Sequence, residues 1–554
     1  MPPSTETAKG LIHASAATFR NPILWEDLPD MEVIRVDDAY YMSASSFHFS
    51  PGAPLLRSHD LIDWEYIGHS VPDLAELSPV FRMDGRNARG YVKGIWASTL
   101  RYRRSNGLFY WYGAIQGTNQ TYVFTAQDPA GVWTAHPPID NFYYDAGLLI
   151  DDDDDTFYVA YGTKTMRVAR LSADGLSEVE TRAVYDSDEY LEGARMYKMG
   201  GRYYIWVTKP WDSQYVLRSE TGPFGPYECR KVLVNMRSPI AGAGAPHQGG
   251  LVDTPDGRWY YMAFTDAFPA GRIPVLAPVE FDAAGWPSVV ADYADDARGH
   301  WRLEYPLDTG VTGPKGRRRH TCARRHAFAS PGGRLEHCWE WNQSPDNAKW
   351  SIQQGRLVLQ TCSVTDSLHL AANTLTHRTI GPRSTAVFCI DVSGLEDGDR
   401  AGATLFRNRS AYIGVHRHAG GAASLVYVDD IAIAPEGGDE EAVGWVDGRP
   451  VSRDWRVISK GVVKETAPLE DHRVWLRIDA DVAAACVDGY EKQERLARFL
   501  YSLDGASFTQ LGPAFTLTNA PTGFVGYRFG VFNFATRALG GRLIVEHCDI
   551  QYES

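Results

Sequence analysis

The sequence predicts an all-β chain in two parts, a five-bladed β-propeller followed by a β-sandwich, on three observations. A short phrase recurs five times, a Gly or Asp, one residue, then two aromatics: Asp38-Ala-Tyr40-Tyr41, Gly107-Leu-Phe109-Tyr110, Asp155-Thr-Phe157-Tyr158, Gly201-Arg-Tyr203-Tyr204 and Gly257-Arg-Trp259-Tyr260. Its first aromatics stand 69, 48, 46 and 56 residues apart, the spacing of propeller blades. No long helical period interrupts the region, and after residue 305 the phrase stops while short alternating strands continue.

Each element follows from local chemistry. A turn residue followed by aromatics and alternating apolar positions opens the second strand of a β-hairpin. The strand before each turn is then the innermost of its blade, and a residue ten to twelve positions before the aromatic pair sits near the mouth of the central channel. Counting back reaches Asp30, Ser98 beside Trp96, Asp145, Glu192 and His247. Three carboxylates and a histidine thus fall at equivalent places in four blades. Carboxylates gathered in one funnel repel one another, an arrangement that costs stability and points to use. The acidic run 151–155 lies at a hairpin tip and is expected to be solvated.

Residues 15–305 are assigned to the propeller. The Gly, Pro and Thr content of 306–320 marks a linker, and its basic stretch 315–320 is expected to be solvated. Residues 321–554 form the sandwich, with strands expected near 356–360, 386–390, 411–415, 473–478 and 543–547. In the stretch Tyr527-Arg-Phe529-Gly-Val-Phe532-Asn-Phe534, two outcomes are open: a loop that walls the cleft, or a core strand.

Composition narrows the function. With 554 residues the chain exceeds one ordinary core, which supports two domains. A formal net charge of −14 argues against nucleic acid, whose recognition rests on Lys and Arg. The 16 Trp, 29 Tyr and 22 Phe serve β-cores first, and can also stack on the apolar faces of sugar rings. Seven cysteines without a CxxC indicate neither a zinc site nor a dense disulfide framework, though one pair could be bridged. No stretch reaches a membrane span and no signal peptide opens the chain, so a soluble form is expected, either cytoplasmic or secreted and processed. Oligomeric state is not legible.

These motifs resemble glycoside hydrolase family 43, enzymes that remove arabinofuranose or xylose from plant cell-wall polysaccharides. The resemblance rests on Asn21-Pro-Ile-Leu-Trp-Glu-Asp-Leu-Pro29-Asp30, Tyr144-Asp145-Ala-Gly-Leu-Leu-Ile-Asp151 and Leu191-Glu192-Gly-Ala-Arg195-Met-Tyr197, with support from Ser46-Phe-His48-Phe-Ser-Pro51-Gly52 and 271–278. The second half resembles the concanavalin-like sandwich of xylosidase-type members. Three positions depart from the family's pattern: Met31 and Ala146 stand where Pro commonly follows each Asp, and Ala194-Arg195 where Pro-His often follows Glu-Gly.

The resemblance implies Asp30 as general base, Glu192 as general acid and Asp145 as an auxiliary, orienting carboxylate; an ionised Asp145 beside Glu192 is expected to help it hold its proton by like-charge repulsion. It implies inversion, for which the two carboxyls should stand about 6.5–9.5 Å apart to admit water. Substrate contacts are expected from Trp96, with core packing open beside that role, from Arg272, which either holds a sugar hydroxyl or orients Glu192 unless it is a plain strand-end arginine, and from His247, His48 and Phe532. No cofactor is required. A calcium ion held through water by His247 is open beside a structural role for that histidine, and no metal is assigned. Segments 91–100 and 143–149 look more like arabinoxylan-debranching members than ordinary xylosidases. An exo-acting α-L-arabinofuranosidase on arabinoxylan is therefore expected, with a β-D-xylosidase on xylo-oligosaccharides as the alternative, and a catalytically silent carbohydrate-binding protein as the alternative of another class.

Overall fold

A computed structural model describes residues 18–553 apart from 84–87, 296, 308–321, 330–331, 438–441, 447, 488 and 490–491. Most of the expected linker, its basic stretch and residues 15–17 lie outside the described residues.

The five aromatic phrases open the second strands of five antiparallel sheets. The first sheet runs Glu32–Val36, Ala39–Ser43, Gly52–Ser58 and Trp64–Val71 from axis to rim. The next three have second strands Leu108–Gln116, Phe157–Thr163 and Arg202–Lys209, and the last runs His247–Asp253, Trp259–Asp266, Arg272–Phe281 and Pro287–Val289. The innermost strands are Glu32–Val36, Thr99–Arg103, Gly147–Ile150, Glu192–Met199 and His247–Asp253. Hence Asp30, Ser98, Asp145, Glu192 and His247 all fall at, or within two residues of, the start of an innermost strand.

Ring closure is made without a shared blade strand. Thr18–Arg20 pairs with Glu304–Pro306, Phe19 stacks on Tyr305 at 5.5 Å, and the Asn21 side chain both donates to Leu276 O (2.9 Å) and accepts from Leu276 N (2.8 Å). The axis is filled by charge rather than left open. Glu32 and Arg195 are wholly buried; Glu32 meets Arg101 and lies 3.7 Å from Arg195 Nε, and its second oxygen accepts the Leu100 N–H at 3.1 Å. A buried charge left without a partner is strongly destabilising, and here each charged side chain has one.

The second half is a sandwich of a nine-stranded and an eight-stranded sheet whose facing residues, among them Leu357, Phe388, Ile413, Leu476 and Phe529, form one core. All five expected strands lie within observed ones. The eight-stranded sheet does not end within the sandwich: Phe49–Ser50, from the propeller, pairs with Trp339–Asn342 as its edge strand. Covering an open edge this way also fixes the sandwich's orientation on the propeller. Across the seam, Arg528 lies over the Phe49 ring at 3.4 Å, and Glu340 accepts from Arg378, Arg528 and His69. Burial alone would raise the Glu340 pKa, but Arg378 and Arg528 hold it well below the ordinary carboxylate range.

The acidic run differs from expectation. Asp151 is buried, accepting from Lys198 Nζ and Tyr203 OH at 2.6 Å each, and Asp155 is chelated by Arg103. Only 152–154 are at the surface as solvated acids, because the tip folds back onto the neighbouring blade.

Candidate active site

Two backbone devices aim the carboxylates. Asp30 and Asp145 are both in the left-handed region, with φ of 55° and 52°, a conformation that only local contacts make tolerable for a residue with a Cβ. One side chain braces both turns. Arg195 Nη2 donates to Asp30 O at 2.8 Å and its Nη1 to Ala146 O at 3.2 Å, tying the two turns together from the axis. The residue that stood out in sequence as a departure is therefore the brace between them. In the last two blades the pairing register shifts between Glu192 and Arg195 and between His247 and Gly250. A bulge at the start of an innermost strand re-aims its first side chain, here toward the funnel. Gly193, at φ 68°, permits the first of these, since a Cβ there would meet Gln248 at 2.9 Å.

The side chains then form two linked groups. Asp30 Oδ2 accepts from Ser45 Oγ at 2.7 Å and Oδ1 from Arg272 Nη1 at 3.1 Å. Arg272 continues through Nε to Asp266 (3.2 Å), whose other oxygen lies 3.9 Å from His247 Nε2. Burial of Arg272 is outweighed by Asp30 and Asp266, so its pKa is raised and it stays charged. Opposite, Glu192 Oε2 accepts from the hydroxyls of Tyr144 and Tyr190 at 2.9 Å each, and Asp145 Oδ2 accepts the Gly193 N–H at 3.0 Å. Burial, followed by the charges of Glu192 and Asp30, pushes Asp145 well above the usual carboxylate range. Burial also raises Glu192, against the pull of both tyrosines and Arg272. Burial therefore disfavours the charged form of both acids, and at Asp145 the charge of Glu192 adds to it.

Aromatic rings enclose the space between the groups. Trp96, held by Nε1 to Val92 O at 2.8 Å, stands edge-on to Phe47, Tyr144 and Phe524 with centroids 6.2, 6.4 and 5.6 Å away. Phe524 comes from the sandwich, on a Gly-Phe turn with φ 60°, and reaches to 5.0 Å from the Arg272 guanidinium. Trp211, 45 % exposed at φ 76°, flanks both Phe524 and Arg272.

Two expected contacts are corrected. Phe532 is wholly buried in the strand Arg528–Ala535, both faces of which are covered, and packs on Tyr412 at 4.9 Å. The sandwich residue at the cleft is Phe524. His48 is likewise wholly buried between Phe49 and Tyr91, accepting the Val92 N–H at 3.1 Å; burial and Arg528 hold it neutral. It buttresses the segment that carries Trp96 instead of facing a sugar. His247 is at the site, with Nδ1 against Ala245 O at 2.9 Å and burial lowering its pKa. Calcium takes six to eight oxygens, and one nitrogen with one carboxylate near it supplies too few for direct coordination.

Sequence reasoning missed Tyr144, Tyr190, Ser45, Asp266, Trp211 and Phe524. The two tyrosines had a signal, standing one residue before Asp145 and two before Glu192. A cavity of about 1110 Å³ elsewhere, between Trp25, Trp64, Ile240 and Ile380 on the propeller–sandwich seam, holds none of the three carboxylates.

Comparison with known proteins decides the family. Residues 19–287 match the model of glycosyl hydrolases family 43, and 325–443 that of the beta xylosidase C-terminal concanavalin A-like domain. A solved structure of an engineered enzyme of this family is 46 % identical, covering 97 % of this chain and 100 % of its own, with a TM-score of 0.87. The chain belongs to glycosyl hydrolases family 43. This family 43 protein is a glycoside hydrolase, and its relatives carry two kinds of name. A beta-xylosidase of Formosa agariphila is 27 % identical over 100 % of this chain and 94 % of its own. A non-reducing end alpha-L-arabinofuranosidase of Bacteroides ovatus is 32 % identical over 50 % of this chain and 54 % of its own. Among the described residues no helix is long and apolar enough to cross a membrane.

Proposed function

We propose that the protein is an inverting exo-hydrolase releasing a terminal α-L-arabinofuranose from arabinoxylan, with Glu192 as general acid, Asp30 as general base and Asp145 as the group that orients Glu192 and helps it keep its proton. The observation that carries the assignment is the asymmetry of the carboxylates. Asp30 is ion-paired to Arg272 and accepts from Ser45, whereas Glu192 lies opposite with two tyrosine hydroxyls and the neighbouring Asp145, where burial raises the pKa of both acids. In the reaction, Glu192 gives its proton to the glycosidic oxygen as that bond breaks. Asp30 takes a proton from the water that attacks the anomeric carbon from the other face.

The arabinose reading is supported by the arabinoxylan-type segments around Trp96 and Asp145, and by the similar engineered enzyme, described as having both endo-xylanase and exo-arabinofuranosidase activity. A β-D-xylosidase is the second reading, favoured by the relative from Formosa agariphila. Plant cell-wall carbohydrate is the substrate class in either case. Aryl α-L-arabinofuranoside and β-D-xyloside are to be compared with substituted arabinoxylan oligosaccharides, with the first-formed anomer read by NMR. Release of arabinose with inverted configuration is expected. A faster β-xyloside moves the assignment to the second reading, and a product of retained configuration removes Asp30 as base. No turnover on any of these substrates would favour a silent carbohydrate-binding protein.

A further inference from the structure

The sandwich sends a two-stranded hairpin, Val443–Val446 with Arg449–Ser452, across the propeller face that carries the site. It is fastened at four places. Gln116 Nε2 donates to Pro450 O at 3.1 Å, Thr163 Oγ1 donates to Gly448 O at 2.9 Å, Arg449 bonds Asn119 at 3.0 Å, and the Arg449 guanidinium lies over the Phe142 ring at 4.2 Å. These anchors span the second and third blades, so the arm is seated and does not trail in solvent. On it stands Trp445, 59 % exposed although its edge meets the Tyr190 ring at 5.2 Å and an angle of 89°. Tyr190 in turn donates to Glu192.

The position has a chemical meaning. A general acid protonates the leaving oxygen, so groups beside the acid and further from the base lie on the leaving-group side. Trp211 and Phe524 flank Arg272 and hence the Asp30 side; Trp445 is the large exposed aromatic reached through the acid's own hydrogen-bond partner. Leaving an indole so open forfeits burial that the hairpin could have gained by turning it inward. Sugar rings present apolar C–H faces that stack on such surfaces.

We propose that Trp445 is a leaving-group subsite, a platform for a pyranose ring of the polysaccharide to which the released sugar is attached. The proposal rests on Glu192 being the acid and names the part of the substrate beyond the cleaved bond. It also gives the hairpin a function, the delivery of one sugar-binding surface from the sandwich to the propeller's site.

The test compares Trp445→Ala and Trp445→Tyr in the full-length enzyme, on an aryl α-L-arabinofuranoside (or xyloside, whichever the wild type cleaves) and on a substituted oligosaccharide with several backbone sugars. Aromatic stacking of ~0.5–1.5 kcal/mol converts to roughly a 2- to 12-fold effect. Trp445→Ala is therefore expected to lower kcat/KM for the oligosaccharide relative to that for the aryl glycoside by such a factor, mostly through KM. Trp445→Tyr should restore most of the ratio. An unchanged ratio, or a loss shared equally by both substrates, overturns the subsite. Failure of the underlying assignment reads differently: if Glu192 is not the acid, Glu192→Gln retains its activity on the oligosaccharide whatever happens at Trp445.

Discussion

Asp27 holds the main-chain N–H of Gly526, 499 residues away, at 2.8 Å through Oδ2, while its Oδ1 accepts the N–H of Arg272 at the same distance. One buried carboxylate thus fastens the sandwich turn that presents Phe524 to the propeller strand that presents Arg272. The approach is close: a Cβ on Gly526 would stand 1.8 Å from Ala270 O. Arg378 of the sandwich returns the contact, donating to Asp27 O at 2.8 Å. Because Asp30 follows three residues later, the seam between domains and the candidate base share one stretch of chain.

Asp27→Ala is expected to lower both stability and substrate affinity. It leaves two buried N–H groups without an acceptor, each costing about 1–3 kcal/mol. It also frees the Phe524 turn and Arg272 together. Asp27→Asn, which keeps one acceptor oxygen, should fall between wild type and alanine in Tm and in KM. Wild-type Tm for Asp27→Ala would refute the seam as a fastening point.

The two proposed catalytic carboxyls separate by leaving group. Glu192→Gln removes a proton donor that a poor leaving group needs and a good one does not. Its kcat should fall about 100- to 10,000-fold on arabinoxylan oligosaccharide and far less on an aryl glycoside with an acidic phenol. Asp30→Asn should fall comparably on both, because water needs its base in either case. The same dependence on leaving group in the two variants would mean that the roles are wrongly divided.

Tyr190→Phe tests what sets the acid's proton affinity. The hydroxyls of Tyr144 and Tyr190 donate to Glu192 and favour its ionised form, pulling down a pKa that burial raises. Removing one donor therefore raises the pKa, and Glu192 keeps its proton to higher pH. The basic limb of kcat/KM against pH should move upward while the acid limb stays in place. A downward move of the basic limb would contradict the assignment of that limb to Glu192.

What was legible in the sequence was local. The turn-aromatic phrase repeats within each blade, and strand alternation carries a count back from Trp259 to His247 or from Tyr203 to Glu192 without knowledge of the rest of the fold. Roles made by distant contacts were not legible. Both faces of Arg528–Ala535 are buried, so alternation there could not separate a cleft-facing Phe532 from a core one. Phe524 sits in a Pro-Thr-Gly-Phe turn that has no period to read, and Trp211 on a hairpin tip likewise. His48 looked like a polar residue in a motif, and only the rings of Phe49 and Tyr91 on either side disclose that it is packing.

Arg195 is where fold and site meet, and its loss should be among the most costly single changes in the propeller. Wholly buried, it ties Asp30 O to Ala146 O and lies against Glu32, which also carries Arg101. Arg195→Met preserves much of the volume yet removes the donor to three carbonyls, those of Asp30, Ala146 and Ala194, and leaves part of a buried charge unanswered. Breaking one partner of a buried ionic cluster costs about 3–5 kcal/mol. A large drop in Tm is therefore expected, with any folded enzyme strongly impaired because the left-handed turns at Asp30 and Asp145 lose their common brace. Glu32→Gln with Arg195→Met should cost less than the sum of the two single changes, since the pair shares contacts. Strict additivity, measured by denaturant unfolding of all four proteins, would show that Glu32 and Arg195 stabilise the axis independently and that the brace acts through its carbonyl contacts alone.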